Sequence, residues 1–588
     1  MSGTSNKMLM EGFEWHSSHN HYESLTRLLP LLSHFGVTSL WLPPGCKAMN
    51  LDGNGYDIYD LWDLGEFDQQ GRRRTKWGDI EQLTSLIKKA AEVQIDIIWD
   101  AVLNHKAGAE ATEEVWAVEV DEQDRRVEIC PPKKIEAWLR FSYPGRQQAD
   151  TSHSKMQWRA EHFNGTDYEH REHKKAIFKL IDPPGPDTLT PPRGLFQKIR
   201  QSAKKRPGAT IPSRSTKIAP PRRPGKGWSE DADDLDGNDD FLMFSNIDYT
   251  HPEVRRDVLN WGTWMIDSIG VDGFRLDGAR HISYSFMREW IGSIGKAQRE
   301  KTGKEAFVVA EFWTGEVQRI TKWLDAVKQP SGGPRVYAFD APLFYNFANL
   351  SDAISKASHP KSTPNRSPLV RPAAIETPDL RTLLRNSLLA ARPDQTATLI
   401  TNHDTQPGQA LATPIDSRLK LLFYAFILLR KDGLPCLFWG DLFGTQGPLS
   451  ESPVGVSREA FNVEGTARRS LLAELMMCRK LFAFGPQQDY WTSPSCIGWT
   501  RAGDSSHPGC VVVLSIQPRV VNTIQMQIGK PGERWFDVLG YAPEDVLIDR
   551  KGSGLFSAHG PGISVFVRRD SPGADKFPVL LDFGLLDG

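Results

Sequence analysis

Along the chain, short apolar runs alternate with longer stretches whose apolar residues recur every three or four positions. The short runs are rich in β-branched and aromatic residues and are bounded by Gly, Pro or Asn, the pattern of buried strands. Eight stand out, at 8–12, 37–43, 95–102, 271–276, 306–311, 335–339, 396–401 and 435–439. Between them, Val254, Val258, Trp261, Met265 and Ile269 mark one face of a helix, and 419–429 reads as a helix apolar nearly all round. Repeated strand–helix alternation predicts an α/β fold, a (β/α)8 TIM barrel. An open doubly wound sheet is the alternative that pattern alone leaves standing.

The alternation breaks in two places. Roughly 165 residues separate the third and fourth strands, far more than a helix and its loops need, so 105–248 is expected to be an inserted domain. Within it, 183–227 holds ten prolines, eleven Lys or Arg and one acid, a composition that cannot bury enough apolar surface to fold alone and predicts a loop. The Ser- and Pro-rich stretch 351–378 reads as a second loop. Past 486 the helical pattern ends. Apolar or alternating runs at 510–516, 523–528, 535–539 and 564–568 predict a C-terminal antiparallel β-sandwich domain over 486–569, with an irregular tail at 570–588. The barrel is then 1–104 together with 249–485.

Charge and composition narrow the function. A formal net charge of −2 gives no field favouring nucleic acid or an anionic membrane. No run approaches the ~18 apolar residues of a membrane span. The first residues lack the apolar core of a secretory signal, and the six cysteines lack CxxC spacing, so reduced thiols, a cytoplasmic location and a monomer are expected. Eighteen tryptophans suit a protein that stacks sugar rings, although most of them read equally as core.

Polar residues crowd the carboxyl ends of the predicted strands, where barrel enzymes build their sites. Strand three ends DAVLNH (100–105), strand four GFRLDG (273–278), strand five AEFW (310–313) and strand seven TNHD (401–404). Cleaving an acetal needs a proton on the leaving oxygen and support for an oxocarbenium-like centre, which two carboxyl groups in different protonation states supply. Arg275, two residues before Asp277 and on the same face, is expected to keep Asp277 ionised as a nucleophile. Glu311, on a different strand from any assigned cation, is expected to keep its proton and act as general acid.

DAVLNH, GFRLDGARH (273–281), AEFW and TNHDTQPGQAL (401–411) resemble the four signature regions of the α-amylase family, glycoside hydrolase family thirteen. GYDIYDLWDLGEF (55–67), TKWGDIEQL (75–83) and YAFILLRKDGLPCLFWGDLFGT (424–445) are most similar to the bacterial liquefying amylases and their intracellular fungal relatives. The resemblance implies Asp277 as nucleophile, Glu311 as acid/base and Asp404 as transition-state stabiliser. It also implies sugar contacts from Tyr56, His105, Arg275, Arg280, His281, Trp313 and His403. It implies one Ca²⁺ held by Asn104, Asp240, Asn246 and the carbonyl of His281. Asn164, Ser229 and Asn246 stand where the bacterial relatives carry acids, so that site is expected to be weakened. The expected activity is retaining, endo-acting hydrolysis of α-1,4-glucan of the starch or glycogen kind. A 4-α-glucanotransferase, and a weakly active α-glucan-binding protein serving cell-wall or storage glucan, are the alternatives.

Overall fold

Eight parallel strands close into a barrel in the computed structural model, which describes residues 6–149, 153–184, 225–330, 332–358, 377–456 and 467–586. They are β1 (Leu9–Glu11), β2 (Ser39–Trp41), β3 (Asp96–Ala101), β4 (Gly273–Leu276), β5 (Phe307–Ala310), β6 (Val336–Phe339), β7 (Thr396–Thr398) and β8 (Leu434–Phe438). Each neighbours the next, and β8 pairs with β1, so the open-sheet alternative is excluded. Seven predicted runs each enclose a shorter barrel strand, and the eighth, 435–439, is offset by one residue from Leu434–Phe438.

Local chemistry sets the joints. Helix α1 (Ile80–Glu92) begins in a capping box, with the Asp79 carboxylate accepting from Gln82 N–H and the Gln82 side chain accepting from Asp79 N–H. Helix α2 (Pro252–Trp264) starts on a proline at its first position and buries Val254, Val258 and Trp261, the predicted face, before a single π turn at Met265–Ile269. Gly273 lets β4 lie close on β5, since a Cβ there would meet the Phe307 carbonyl at 2.0 Å.

Between β3 and β4 lies a six-stranded antiparallel sheet that includes Ala111–Glu119, Lys133–Arg140, Phe163–Glu169 and Lys174–Leu180. It is bound to the barrel side by His105–Lys106 and Ser245–Ile247, which pair with each other where the chain leaves and returns. Most of the predicted 183–227 loop, residues 185–224, lies outside the described residues. The second predicted loop is corrected at its start: helix α3 (Ala341–Ser358) runs through 351–358, and Ser351 is buried, while 359–376 lie outside the described residues. The Ser and Pro content of the whole stretch masked those last two helical turns.

The C-terminal region forms a six-stranded antiparallel sheet against which the pair Val521–Gln527 and Ser553–His559 is laid, with its own core of Val511, Val513, Ile524, Met526, Phe556 and Phe566. The tail is not irregular throughout. Leu580–Asp582 pairs with Ala467–Arg469, and Leu581 is fully buried. The main core is continuous from the barrel into this region, through residues such as Leu475, Trp499 and Val512.

Candidate active site

Several barrel strands carry polar groups to one mouth, either within the strand, as Asp100 and Arg275, or just past its end, as Asp277, Glu311 and the 402–404 turn. Arg275, on β4, lies at the centre. Its side chain is wholly buried, and Nη1 donates to Asp277 Oδ1 at 2.6 Å and to Asp100 Oδ1 at 2.8 Å. Nη2 donates to Glu311 Oε2 at 2.8 Å. Strand register makes this convergence: Arg275 pairs with Asp100 across β3, and Leu276 pairs with Ala310, the residue before Glu311, across β5. The guanidinium also lies over Trp41 and Tyr56, 4.9 and 5.9 Å from their ring centres.

Three carboxylates therefore share one guanidinium in a buried place. Burial pushes the Glu311 carboxyl up to about 8; Arg275 opposes the shift, and the Asp277 and Asp404 charges add to it. The expectation that Glu311 lies away from any cation does not hold. Its proton is favoured in spite of Arg275, because desolvation and two neighbouring acids outweigh one contact. Burial raises Asp100 and Asp404 as well, with Arg275 again opposing. Asp404 keeps 29% of its side chain exposed, against 11% for Asp277 and 10% for Glu311, so it faces the open mouth.

One wall is aromatic. His403 lies parallel to Tyr56 with ring centres 5.1 Å apart, and Trp15 stacks on Tyr56 at 6.2 Å. Tyr56 donates its hydroxyl to Asp100 Oδ2 at 2.9 Å, and the turn before it depends on Gly55 at φ +103, where a Cβ would collide with the Pro44 carbonyl. His105 is committed within the protein: Nε2 is 2.8 Å from the Tyr56 carbonyl and Nδ1 3.2 Å from Asn104 Oδ1. It braces Tyr56 from behind, and a sugar hydroxyl could bond it only by displacing one of these oxygens.

On the opposite side, Arg280 pairs with Asp239 at 3.0 Å and donates to the Trp313 carbonyl at 3.1 Å and to His281 Nε2 at 3.0 Å. Trp313 donates its indole N–H to the Tyr345 hydroxyl. His281 bonds the Asp239 carbonyl through Nδ1, and burial with the adjacent Arg280 holds it well below the usual histidine range. Both ring nitrogens of His281 are thus occupied, and its backbone oxygen accepts from Asn104 Nδ2 at 2.8 Å.

Asn104, His281, Asp240 and Asn246 form one oxygen-rich cluster between the barrel and the inserted sheet. Asp240 Oδ2 accepts from Asn164 Nδ2 at 2.7 Å and Ser229 N–H at 2.6 Å; Asn246 Nδ2 donates to Asn164 Oδ1 and the Asp240 carbonyl. Asn246 Oδ1 is buried and has no hydrogen-bond partner, and the donors on Asp240 are neutral. A buried carboxylate with only neutral donors, beside an amide oxygen with none, fits one cation of modest charge demand. The cluster supplies one carboxylate, and Asn104 and His281 satisfy each other without an ion.

His162, His251 and Glu253 also bring ligand atoms within 4.8 Å of one another. His162 Nδ1 accepts the Arg159 N–H at 2.9 Å, which leaves the proton on Nε2, the nitrogen beside Glu253. That nitrogen is a donor, and the arrangement reads as a packed histidine pair rather than a metal site.

Four residues of the mouth escape sequence reasoning as site members: Glu11, Trp15, Trp41 and Asp100. Asp100 and Glu11 left a signal, each as an acid within an apolar strand run. Trp41 sits in a run that reads as core, and Trp15 lies just past the first run.

The sequence matches the family described as "Alpha amylase, catalytic domain" over residues 21–175 and 225–471. It is 34% identical to an α-amylase of Bacillus licheniformis, across 96% of this chain and 94% of that one. It is 31% identical to a cytoplasmic α-amylase of Escherichia coli, across 96% and 99%. Among solved structures, an α-amylase of Malbranchea cinnamomea aligns over 98% of both chains with a TM-score of 0.53 at 14% identity, a likeness of fold. Among the described residues no helix is long and apolar enough to cross a membrane.

Proposed function

Because the chain belongs to the α-amylase family and is a glycoside hydrolase, we propose that it cuts internal α-1,4 bonds of a starch- or glycogen-like glucan with retention of configuration. The observation that carries this reading is the single guanidinium of Arg275 holding Asp277 and Glu311 side by side while Glu311 stays protonated near neutral pH. Two carboxyl groups on one guanidinium, one of them protonated, suit a double displacement.

In the first step Glu311 gives its proton to the glycosidic oxygen, the C1–O bond breaks, and Asp277 Oδ forms a bond to C1. Glu311, now ionised, takes a proton from water as the water oxygen attacks C1 and Asp277 is released. Asp404, open to the mouth, holds hydroxyls of the ring being cleaved, and Tyr56 stacks on it. Trp313 and Arg280 line the leaving-group side. A Ca²⁺ held by Asn104, Asp240, Asn246 and the His281 carbonyl would be structural. It would brace the turn that follows Asp277, and the chemical step does not pass through it.

We place the enzyme in the cytoplasm, acting as a monomer. The likeness to a cytoplasmic relative and six cysteines without disulfides support the location. The test is the anomer released first from maltoheptaose, followed by ¹H NMR. The α anomer is expected; the β anomer would sink retention, and products longer than the substrate would turn the reading toward a transferase.

A further inference from the structure

His403 is placed between two carboxyl groups, one of which has no part in the reading above. Glu11, at the end of β1, is buried; its Oε1 shares a hydrogen bond of 2.6 Å with His403 Nδ1 and accepts from the His403 backbone N–H at 3.3 Å. Among the described residues Glu11 Oε2 has no hydrogen-bond partner, and His403 is the residue that bonds the Glu11 carboxyl group. On the other side of the ring, Nε2 is buried, makes no hydrogen bond, and lies 3.4 Å from Asp404 Oδ2. Tyr56 and Trp15 cover one face of the imidazole, and Phe13 and Trp41 pack around it, so water cannot serve as its proton partner from those sides.

We propose that Glu11 is a positioning residue that keeps a proton on His403 Nε2, so that the imidazole meets the glucan as a hydrogen-bond donor. One proton shared across the Oε1···Nδ1 contact achieves this in either arrangement. An ionised Glu11 beside an imidazolium leaves Nε2 protonated, and so does a neutral Glu11 donating to Nδ1 of a neutral ring. Without that proton, the neutral ring would give its Nδ1 hydrogen to Glu11 and turn a lone pair on Nε2 toward the oxygens of Asp404.

The charged and titratable neighbours agree with this. Burial pushes Glu11 up to about 7, with His403 and then Arg275 opposing. Arg275 is the cation that acts against a proton on Glu11, and Asp404 Oδ2 is the carboxylate oxygen facing Nε2 on the far side of the ring. The Cys436 thiol, beside Glu11 on β8, is held neutral by burial and adds no charge.

The inference rests on a glucan occupying the mouth, but its central claim can be read in the free enzyme. In ¹⁵N-histidine-labelled protein at pH 7, His403 Nε2 should resonate as a protonated nitrogen, and Glu11→Gln should convert it to the unprotonated kind, since a neutral amide oxygen accepts from Nδ1–H without supplying charge. Maltoheptaose binding is then measured calorimetrically in the Glu311→Gln enzyme, which neither turns over nor titrates at Glu311. Adding Glu11→Gln should weaken binding about tenfold at pH 6, the size of one charge-assisted bond, and flatten its pH dependence. In a His403→Asn background the same change should do nothing. An unprotonated Nε2 in the parent protein, or equal loss with and without His403, would overturn the proposal. Should Glu11→Gln fail to fold, the nitrogen signal of the parent still decides. Absence of any maltoheptaose binding with a protonated Nε2 would count against the glucan reading and leave the Glu11 assignment intact.

Discussion

Arg275 Nη2 lies 2.8 Å from Glu311 Oε2, yet Glu311 is raised to about 8 rather than lowered. A cation in contact ordinarily favours the charged carboxylate, so the outcome measures how strongly burial and the nearby acids act. Arg275 is also divided among Asp100, Asp277 and Glu311. The same group can then hold Asp277 as a carboxylate ligand and leave Glu311 able to donate a proton.

The two reacting carboxyls are tested first. Asp277→Asn removes the group that bonds C1, and Glu311→Gln removes the proton donor. Each is expected to lower kcat by roughly three orders of magnitude or more with little change in thermal stability. Turnover within tenfold of the parent in either variant would remove that residue from its role.

The acid form of Glu311 has a pH signature. It is the protonated form that donates, so activity should hold below about 8 and fall as pH rises through it. Asp404 is one of the charges that raise Glu311. In Asp404→Asn, whose activity will be low, the alkaline limb of kcat/KM should therefore move to lower pH. A limb that stays put or moves upward would mean that Asp404 does not act on Glu311.

The metal cluster should bind weakly. With one carboxylate among its ligands, a Ca²⁺ affinity of order 10⁻⁴ M is expected, and millimolar ion should add about 1–2 kcal/mol of stability. Asn246→Asp restores a charge at a buried oxygen and should tighten binding at least tenfold, read as a larger rise in Tm with graded Ca²⁺. If neither protein responds to Ca²⁺ or EDTA, the amide network serves in place of an ion.

Arg146 and Asp60 form a buried pair at 2.7 Å that ties the inserted segment to the loop after β2, each about 1% exposed. Arg146→Met would leave the buried Asp60 charge with only the neutral Trp62 N–H and Gln69 amide as hydrogen-bond donors among the described residues, and is expected to cost about 3 kcal/mol in urea unfolding. A loss below 1 kcal/mol would show that Trp62 N–H and the Gln69 amide suffice to hold the Asp60 charge.

What the sequence by itself determined is what depends on local pattern. The apolar runs located all eight barrel strands, the long gap between strands three and four marked the insertion, and acids at strand ends pointed to the mouth. These are short-range features, fixed by a period of two along strands and by where each apolar run stops. The tertiary structure decided what depends on neighbours distant in the chain. Glu11 and His403 are 392 residues apart and meet because β1 lies near the end of β7 in a closed barrel. Glu311 reaches Arg275 because β4 and β5 are in register, and His105 turns to the Tyr56 carbonyl because the return strand at Ser245–Ile247 fixes its backbone. A protonation state is a sum over all charges and solvent within several ångströms, and only a folded chain has such a surrounding.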